Sequence, residues 1–262
     1  MKAGEYHNTP ENTGLPQAIK EVLEVRRAVA AYGWRDVKIR YIRTYLGWGW
    51  LLLPAVLLLL PVLLLQARFG MKDQELSQWV TVLSGHILSA GLMQQIAPLW
   101  INNKHFLLKI RLPVLFMPIS RLVVMLPEWI LYSIILTGLG VYLDLPAGSI
   151  ALQWFVFQLF WVFGFSMGVI FCAISSRFRD VIHAVPVVIQ GQLLLIVLYM
   201  IHSAEFQAFS WLEWLPPVLF INLLKNHESS VLIVLTSISI LSFAYVSAFV
   251  FVKLSKNALE RI

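Results

Sequence analysis

The chain has 262 residues, of which 59% are hydrophobic and only 13% are charged, and its mean hydropathy is +0.76. Because soluble domains carry about 25% charged residues, this composition excludes an ordinary soluble domain and indicates a polytopic membrane protein. The net charge of +6 follows from topology rather than from nucleic-acid binding, since Lys and Arg collect on the cytoplasmic loops of membrane proteins.

Residues 1–46 are predicted to form a cytoplasmic segment that contains an amphipathic helix lying in the membrane interface. Apolar residues recur at helical spacing from Ala18 to Tyr32, and the stretch WRDVKIRYIRTYL then combines aromatic and basic side chains. Such a helix anchors rings and aliphatic chains in lipid and turns its cations toward phosphates. The residues expected to contact a lipid at this surface are Trp34, Arg35, Lys38, Arg40 and Arg43. Ordinary flanking charge at a membrane span remains the alternative.

Six segments are apolar over the length of about 20 residues that a helix needs to cross a hydrocarbon core about 30 Å thick. They are residues 48–66, 79–101, 119–140, 150–174, 181–201 and 230–252. Residues 47–252 are thus predicted to be an all-α, six-span transmembrane domain, followed by a tail at 253–262. Seventeen of the twenty Lys and Arg residues fall on one side, which predicts that both termini are cytoplasmic.

The cytoplasmic loop at 102–113, between the second and third spans, is both basic and apolar. A loop exposed only to water has no need of such side chains, whereas a short helix that docks into a groove of another protein does. The residues predicted to make this contact are Asn103, Lys104, Phe106, Leu107, Leu108, Lys109 and Arg111. A membrane-surface helix without a partner is the alternative.

The outer segment at 202–230 is too long for a turn and too apolar for a solvated loop. Pro216 and Pro217 divide it, which predicts two short re-entrant helices dipping into the outer leaflet as gate helices. The aromatic residues assigned to a channel or gate are Trp50 in the first span, Trp154, Phe157 and Trp161 in the fourth, Tyr199 in the fifth, and Trp211 and Trp214 in this segment. Lipid contact and packing are the alternative for the fourth-span aromatics.

Glu128 in the third span is the acidic group predicted to lie within the membrane. A charge at that depth requires a partner, and either a pathway role or a structural hydrogen bond satisfies the requirement. The G-x-S-x-G pattern at Gly164–Gly168 falls inside a span, where it indicates close helix packing rather than a hydrolase elbow. The chain has one cysteine, no metal-ligand spacing and no G-x-x-x-x-G-K-[ST] motif, so any ATP hydrolysis is expected on another chain.

The order of these features resembles the membrane-spanning permease of bacterial ABC exporters of the polysaccharide class, which move lipid-linked O-antigen, capsule or teichoic acid chains. The matching positions are Leu46, Gly47, Trp50 and Pro54 before and in the first span, Asn103, Lys109 and Pro113 in the cytoplasmic loop, Glu128, and Arg179, Asp180, Pro186 and Gln190 at the fifth span. Relatives often carry Asn-Pro where this chain has Pro216-Pro217, so the turn of the gate is a departure from the pattern.

The resemblance implies a homodimer with a pore on its two-fold axis and two copies of a separate nucleotide-binding ATPase. ATP and magnesium would bind that ATPase, while this chain would hold no cofactor and no metal and would catalyse no reaction. The loop at 102–113 would be the coupling helix, and the N-terminal helix would lie at the entrance for an undecaprenyl-linked polysaccharide, with O-antigen the leading substrate, in the bacterial inner membrane. An ABC permease for a drug or lipid, or a secondary transporter, are the alternatives; no convincing internal repeat favours the latter.

Overall fold

The computed structural model describes residues 14–42, 44–103, 112–201, 212, 214–225 and 230–258, and no β-strand occurs among them. The helices in these residues are α1 (Leu15–Glu24), α2 (Arg26–Ile42), α3 (Gly49–Phe69), α4 (Asp73–Ile96), α5 (Leu99–Asn102), α6 (Phe116–Tyr142), α7 (Ala147–Ser175), α8 (Val181–Ile201), α9 (Pro216–Lys225) and α10 (Ser230–Ala258). The predicted all-helical class is therefore confirmed for the part of the chain that is described.

Five of these helices are long and apolar enough to cross a membrane, namely α3, α6, α7, α8 and α10. The chain is accordingly a multi-pass helical membrane protein. The helix at the predicted second span, α4, has 24 residues but is more polar than the other five. Most of its side chains are buried by neighbouring helices, and a helix shielded from lipid does not need a continuous apolar surface.

The central pair of helices is α4 and α7, which run side by side in the same direction. At one end Gln153 donates a hydrogen bond to Ser77 at 2.8 Å, and at the other Ser175 donates to the carbonyl of Ala97 at 2.9 Å. Between these points a Cβ built on Gly164 would lie 2.4 Å from the Cα of Ser89. The glycine brings the two backbones together, so the packing interpretation of the Gly164–Gly168 motif is confirmed.

Helix ends depart from the predicted edges where prolines and glycines dictate them. Helix α4 ends at Ile96, before Pro98, and the short α5 completes the predicted second span. Helix α10 continues to Ala258, beyond the predicted boundary at 252. Pro216 and Pro217 form the first turn of α9, where a missing N–H leaves no helical hydrogen bond unmade. A short helix after the Pro pair is thus present, its role as a re-entrant gate helix stays a prediction, and most of the segment before it lies outside the described residues.

The N-terminal helices α1 and α2 each bury one face against the bundle. On α1, Leu15, Ala18 and Val22 are buried at helical spacing, and this helix packs against α10. The break between the two helices falls at Val25. On α2, every fourth residue from Val29 to Tyr41 is buried, and this face packs against α6. The residues of this buried face are Val29, Gly33, Val37 and Tyr41.

Candidate functional site

Helix α2 runs along the first half of α6 in the same direction. The ring of Tyr32 packs edge-on against Phe116 with centroids 5.6 Å apart, and further along both helices the Tyr41 hydroxyl donates to Glu128 at 2.9 Å. Between them, a Cβ built on Gly33 would lie 2.6 Å from the Cβ of Val123. The glycine permits this close approach. The buried face of α2 therefore contacts the membrane-spanning helix α6, and the predicted position of α2 in the membrane interface stays a prediction.

Two ion pairs of opposite polarity join α2 to α6. Asp36 of α2 lies 2.9 Å from the guanidinium of Arg121, and Arg40 of α2 lies 3.1 Å from the carboxylate of Glu128. Because the acid is on α2 in one pair and on α6 in the other, sliding α2 toward the next turn brings like charges together. The pairs therefore specify one register of the two helices.

Asp36 also accepts a hydrogen bond from its neighbour Arg35 at 2.9 Å. That bond raises the pKa of the Arg35 guanidinium, which in addition lies 4.3 Å from the centre of the Tyr32 ring. The side chain of Arg121 is only 12% exposed, whereas that of Arg35 is 57% exposed. Asp36 thus neutralises the buried cation of α6 and steadies the exposed cation of α2.

Glu128 receives two donors on the same carboxylate oxygen. The Tyr41 hydroxyl lies 2.9 Å from Oε1, and Nη1 of Arg40 lies 3.1 Å from it. The Glu128 side chain is 15% exposed and that of Arg40 is 45% exposed. The partner that a carboxylate in a spanning helix requires is therefore supplied by α2, a pairing that the sequence analysis did not predict.

Tyr41 is the buried centre of the site. Burial raises the pKa of its phenol, and the nearby Glu128 carboxylate raises it further, so the hydroxyl is a donor at neutral pH. The indole of Trp48 stacks on the Tyr41 ring at 5.0 Å, and Thr44 donates to the Tyr41 carbonyl at 3.0 Å. Gly47 adopts a left-handed conformation with φ of 53°, which favours glycine. The turn that leads from α2 into α3 consequently rests on Tyr41.

Helix α4 closes the site from behind. The side-chain amide of Gln95 lies 2.7 Å from the sulfur of Met125, and Nη1 of Arg40 lies 3.9 Å from the same sulfur. A Cβ built on Gly91 would lie 2.5 Å from the Met125 methyl group. Three helices and one turn therefore enclose the Glu128 carboxylate.

The remaining surface of α2 points away from the bundle. We call it the outer face of α2, and its exposed members are Trp34, Arg35, Lys38, Ile39 and Ile42. Arg40 lies at the border between this face and α6. All the predicted lipid-contacting residues that the structure describes are thus at least partly exposed, and Arg43 lies outside the described residues.

The predicted coupling residues are described at only one position. Asn103 follows α5, and its side chain donates to the Leu99 carbonyl at 2.8 Å. The others, Lys104, Phe106, Leu107, Leu108, Lys109 and Arg111, lie outside the described residues. Residues 112–115 lead into α6, which begins at Phe116. The 104–111 segment is therefore connected by four residues to the end of α6 that contacts α2.

Two of the predicted channel aromatics meet on a third tryptophan that we did not single out. Trp154 and Trp161 of α7 both pack edge-on against Trp129 of α6, at 5.9 and 5.8 Å. The Trp129 indole donates to Gln158 at 3.2 Å, and that of Trp154 donates to Thr137 at 2.9 Å. All three tryptophans are partly exposed, so their rings form a surface between α6 and α7.

Two other residues that were assigned to the channel or gate are buried in the structure. Phe157 is fully buried, and Tyr199 is 4% exposed with its hydroxyl donating to Asn222 at 2.7 Å. Both side chains pack inside the described part of the chain, and their assignment to the channel or gate stays a prediction. Trp50 and Trp214 are exposed, and Trp211 lies outside the described residues.

Sequence reasoning also missed Tyr41 and the Asp36–Arg121 pair. A signal for Tyr41 was present, because it continues the four-residue series of Val29, Gly33 and Val37 that marks the buried face of α2. Within the described ranges, no group of three or more His, Cys, Asp or Glu side chains has a geometry that holds a metal ion.

Comparison with known proteins gives no match for this chain, either to a protein-family model or to a curated protein sequence.

Proposed function

We propose that this chain is the membrane-spanning permease subunit of a bacterial ABC exporter that moves an undecaprenyl-linked polysaccharide, with O-antigen the leading substrate, across the inner membrane. The proposal rests on the resemblance in motif order together with one structural observation, the outer face of α2. A separate ATPase, present in two copies and binding ATP and magnesium, would supply the energy.

The outer face of α2 carries this proposal because it combines exposed Trp34 with the cations Arg35 and Lys38. Exposed Ile39 and Ile42 add apolar surface beside them. This is the chemistry that recognises a lipid with an anionic headgroup, since the aliphatic part needs apolar contact and the phosphates need fixed cations. The buried contact with α6 holds the helix in place for that purpose.

The proposed topology has six membrane crossings, with both termini on the cytoplasmic side. Helix α4 would be the second crossing in chain order and would bring the total to six. It runs beside α7 from the hydrogen bond between Ser77 and Gln153 to that between Ala97 and Ser175. A neighbour that runs in the same direction over that length spans the same thickness as α7. Its polar side chains are tolerated because α7 and other helices cover them.

A homodimer is supported by the surfaces of α3 and α8 that no other described helix of this chain covers. On α3 the buried side chains are only Ala55, Leu58 and Val62, so most of this helix lacks a neighbour. On α8, Gln190 is exposed at the middle of a spanning helix, where lipid leaves its amide unpaired. The adjacent Gly191 has no atom within 4 Å of a built Cβ and permits close helix approach. A second copy, with a polar channel between the copies, satisfies both helices.

Coupling to the ATPase would pass through the chain segment before α6. A displacement of 104–111 by the ATPase pushes the first turns of α6, and the Asp36–Arg121 and Arg40–Glu128 pairs transmit that push to α2. ATP binding then shifts the population between entrance states through differential affinity. The Trp129, Trp154 and Trp161 surface would offer ring faces to the sugar C–H groups of the moving glycan.

The experiment is purification of the tagged chain from its native membrane, followed by identification of associated nucleotide-binding chains and measurement of their ATPase activity. Stoichiometric association with one ATPase, and stimulation of that ATPase by a polyprenyl-diphosphate-linked glycan, are the expected results. Purification without an ATPase chain contradicts the exporter proposal and favours a secondary transporter.

A further inference from the structure

We infer that Glu128 is an internal counter-anion for Arg40, which exchanges this carboxylate for the phosphate of an anionic lipid headgroup when substrate binds. The inference rests on the proposed function and adds to it a specificity-determining residue. It is carried by the geometry and the charges around the ion pair.

The guanidinium of Arg40 has capacity for a second anion. Its planar group has five N–H donors, and the structure engages Nη1 with Glu128 and with the weakly accepting sulfur of Met125. Among the described residues, no other carboxylate lies within 4 Å of Arg40. Because the side chain is 45% exposed at the border of the outer face, a phosphate can approach the unused donors.

Glu128 keeps a hydrogen-bond donor when it releases Arg40. The Tyr41 hydroxyl donates to the same oxygen that Arg40 approaches. That phenol is held in place by burial and by the stacked Trp48 ring, so it stays on Glu128 when the guanidinium turns away. A buried acceptor that keeps one donor loses much less free energy than one left unpaired.

The charges around the pair select an anion as the ligand. Asp36 and Glu128 are paired with the cations Arg35, Arg40 and Arg121, and exposed Lys38 on α2 adds a fourth positive charge to this part of the described helix. The local excess of positive charge matches a phosphate or diphosphate. Exposed Trp34, Ile39 and Ile42 favour a lipid as the source of that group over a free ion.

The test is equilibrium binding of a polyprenyl diphosphate to the full chain with its ATPase in neutral-lipid nanodiscs. We expect Glu128→Gln to bind about threefold tighter or more, because the internal competitor is removed while the amide still accepts from Tyr41. Arg40→Gln should bind at least about threefold weaker, and the double variant should bind like Arg40→Gln alone. Glu75→Gln, an equal charge change at the start of α4, should leave binding unchanged.

Three results distinguish a failure of the proposed function from a failure of the exchange alone. If the wild-type protein binds the diphosphate lipid no better than phosphatidylglycerol, the proposed substrate class is wrong and the inference falls with it. If the wild type is selective but Glu128→Gln binds equally or more weakly, only the exchange is wrong. Inorganic pyrophosphate should compete in excess, and failure to compete also overturns the exchange. Should Glu128→Gln not fold, Glu128→Asp withdraws the carboxylate from Arg40 and is expected to tighten binding in the same way.

Discussion

Arg40 of α2 lies 3.1 Å from Glu128 of α6, although the two residues are 88 positions apart in the sequence. Each residue had been assigned a separate role, one at a lipid-facing surface and the other inside the membrane. Their contact makes them parts of one site, in which α2 supplies the partner for the intramembrane acid.

Changes at the other ion pair, Asp36 with Arg121, test whether it stabilises the contact between α2 and α6. Asp36→Asn should lower the free energy of unfolding by about 1–3 kcal/mol, because it leaves the 12% exposed Arg121 without its carboxylate. Thermal unfolding of the purified protein measures this. The double variant Asp36→Arg with Arg121→Asp should recover part of the stability that Asp36→Arg alone loses. A swap that is no better than Asp36→Arg alone would show that direct pairing of these two positions does not stabilise the contact between α2 and α6.

Removing the Tyr41 hydroxyl tests the centre of the site. Tyr41→Phe keeps the ring that stacks on Trp48 but removes the donor to Glu128, so a loss of about 1–2 kcal/mol is expected in thermal unfolding. In the Glu128→Gln background the same change should have a smaller effect, since the two groups interact directly. Unchanged stability of Tyr41→Phe in the wild-type background would show that the hydrogen bond contributes nothing to stability.

Close packing of α4 on α7 is tested at its glycine. Gly164→Ala places a methyl group 2.4 Å from the Ser89 backbone, and we expect a loss of at least about 2 kcal/mol in unfolding or failure to fold. Gly138→Ala is the matched control in α6, because no atom lies within 4 Å of a built Cβ there. That control should be neutral or stabilising by up to about 1 kcal/mol. Equal effects at the two positions would refute the close contact.

The tryptophan surface is tested by Trp129→Leu. If glycan rings stack there, transport should fall about five- to tenfold, as expected for the loss of one or more aromatic contacts. Trp129→Phe keeps a ring but loses the hydrogen bond to Gln158 and should retain more transport. Glycan transport by cells or vesicles is the measurement, with protein abundance as the control. Unchanged transport by Trp129→Leu would leave only packing for this cluster.

Much of the fold could be predicted because long apolar runs and helical periodicity are local properties of a sequence. The spans at α3, α6, α7, α8 and α10 follow from length and hydropathy. The burial of α4 did not, since its polar residues are tolerated only through contacts that the tertiary packing creates. The prediction for α2 was incomplete for the same reason: periodicity indicated an apolar face that includes Val29, but neither its continuation to Tyr41 nor the neighbour that covers it.

Part of the candidate site could likewise be predicted from the sequence, and part could not. Exposure of Trp34 and Lys38 could be anticipated from amphipathic spacing, because the buried face fixes the opposite one. The pairing of Arg40 with Glu128 depends on helices that are distant in sequence, and aromatic content alone did not distinguish the buried Phe157 from the partly exposed Trp161.

The most direct test of the exporter proposal is ATP-dependent movement of a polyprenyl-diphosphate-linked glycan into inverted membrane vesicles that contain this chain and its ATPase. Wild-type vesicles should accumulate protected glycan with ATP and magnesium. Vesicles with Arg35→Gln and Lys38→Gln should accumulate much less at equal protein abundance. Accumulation that needs no ATP, or that is unchanged when both cations of the outer face are removed, would contradict the account.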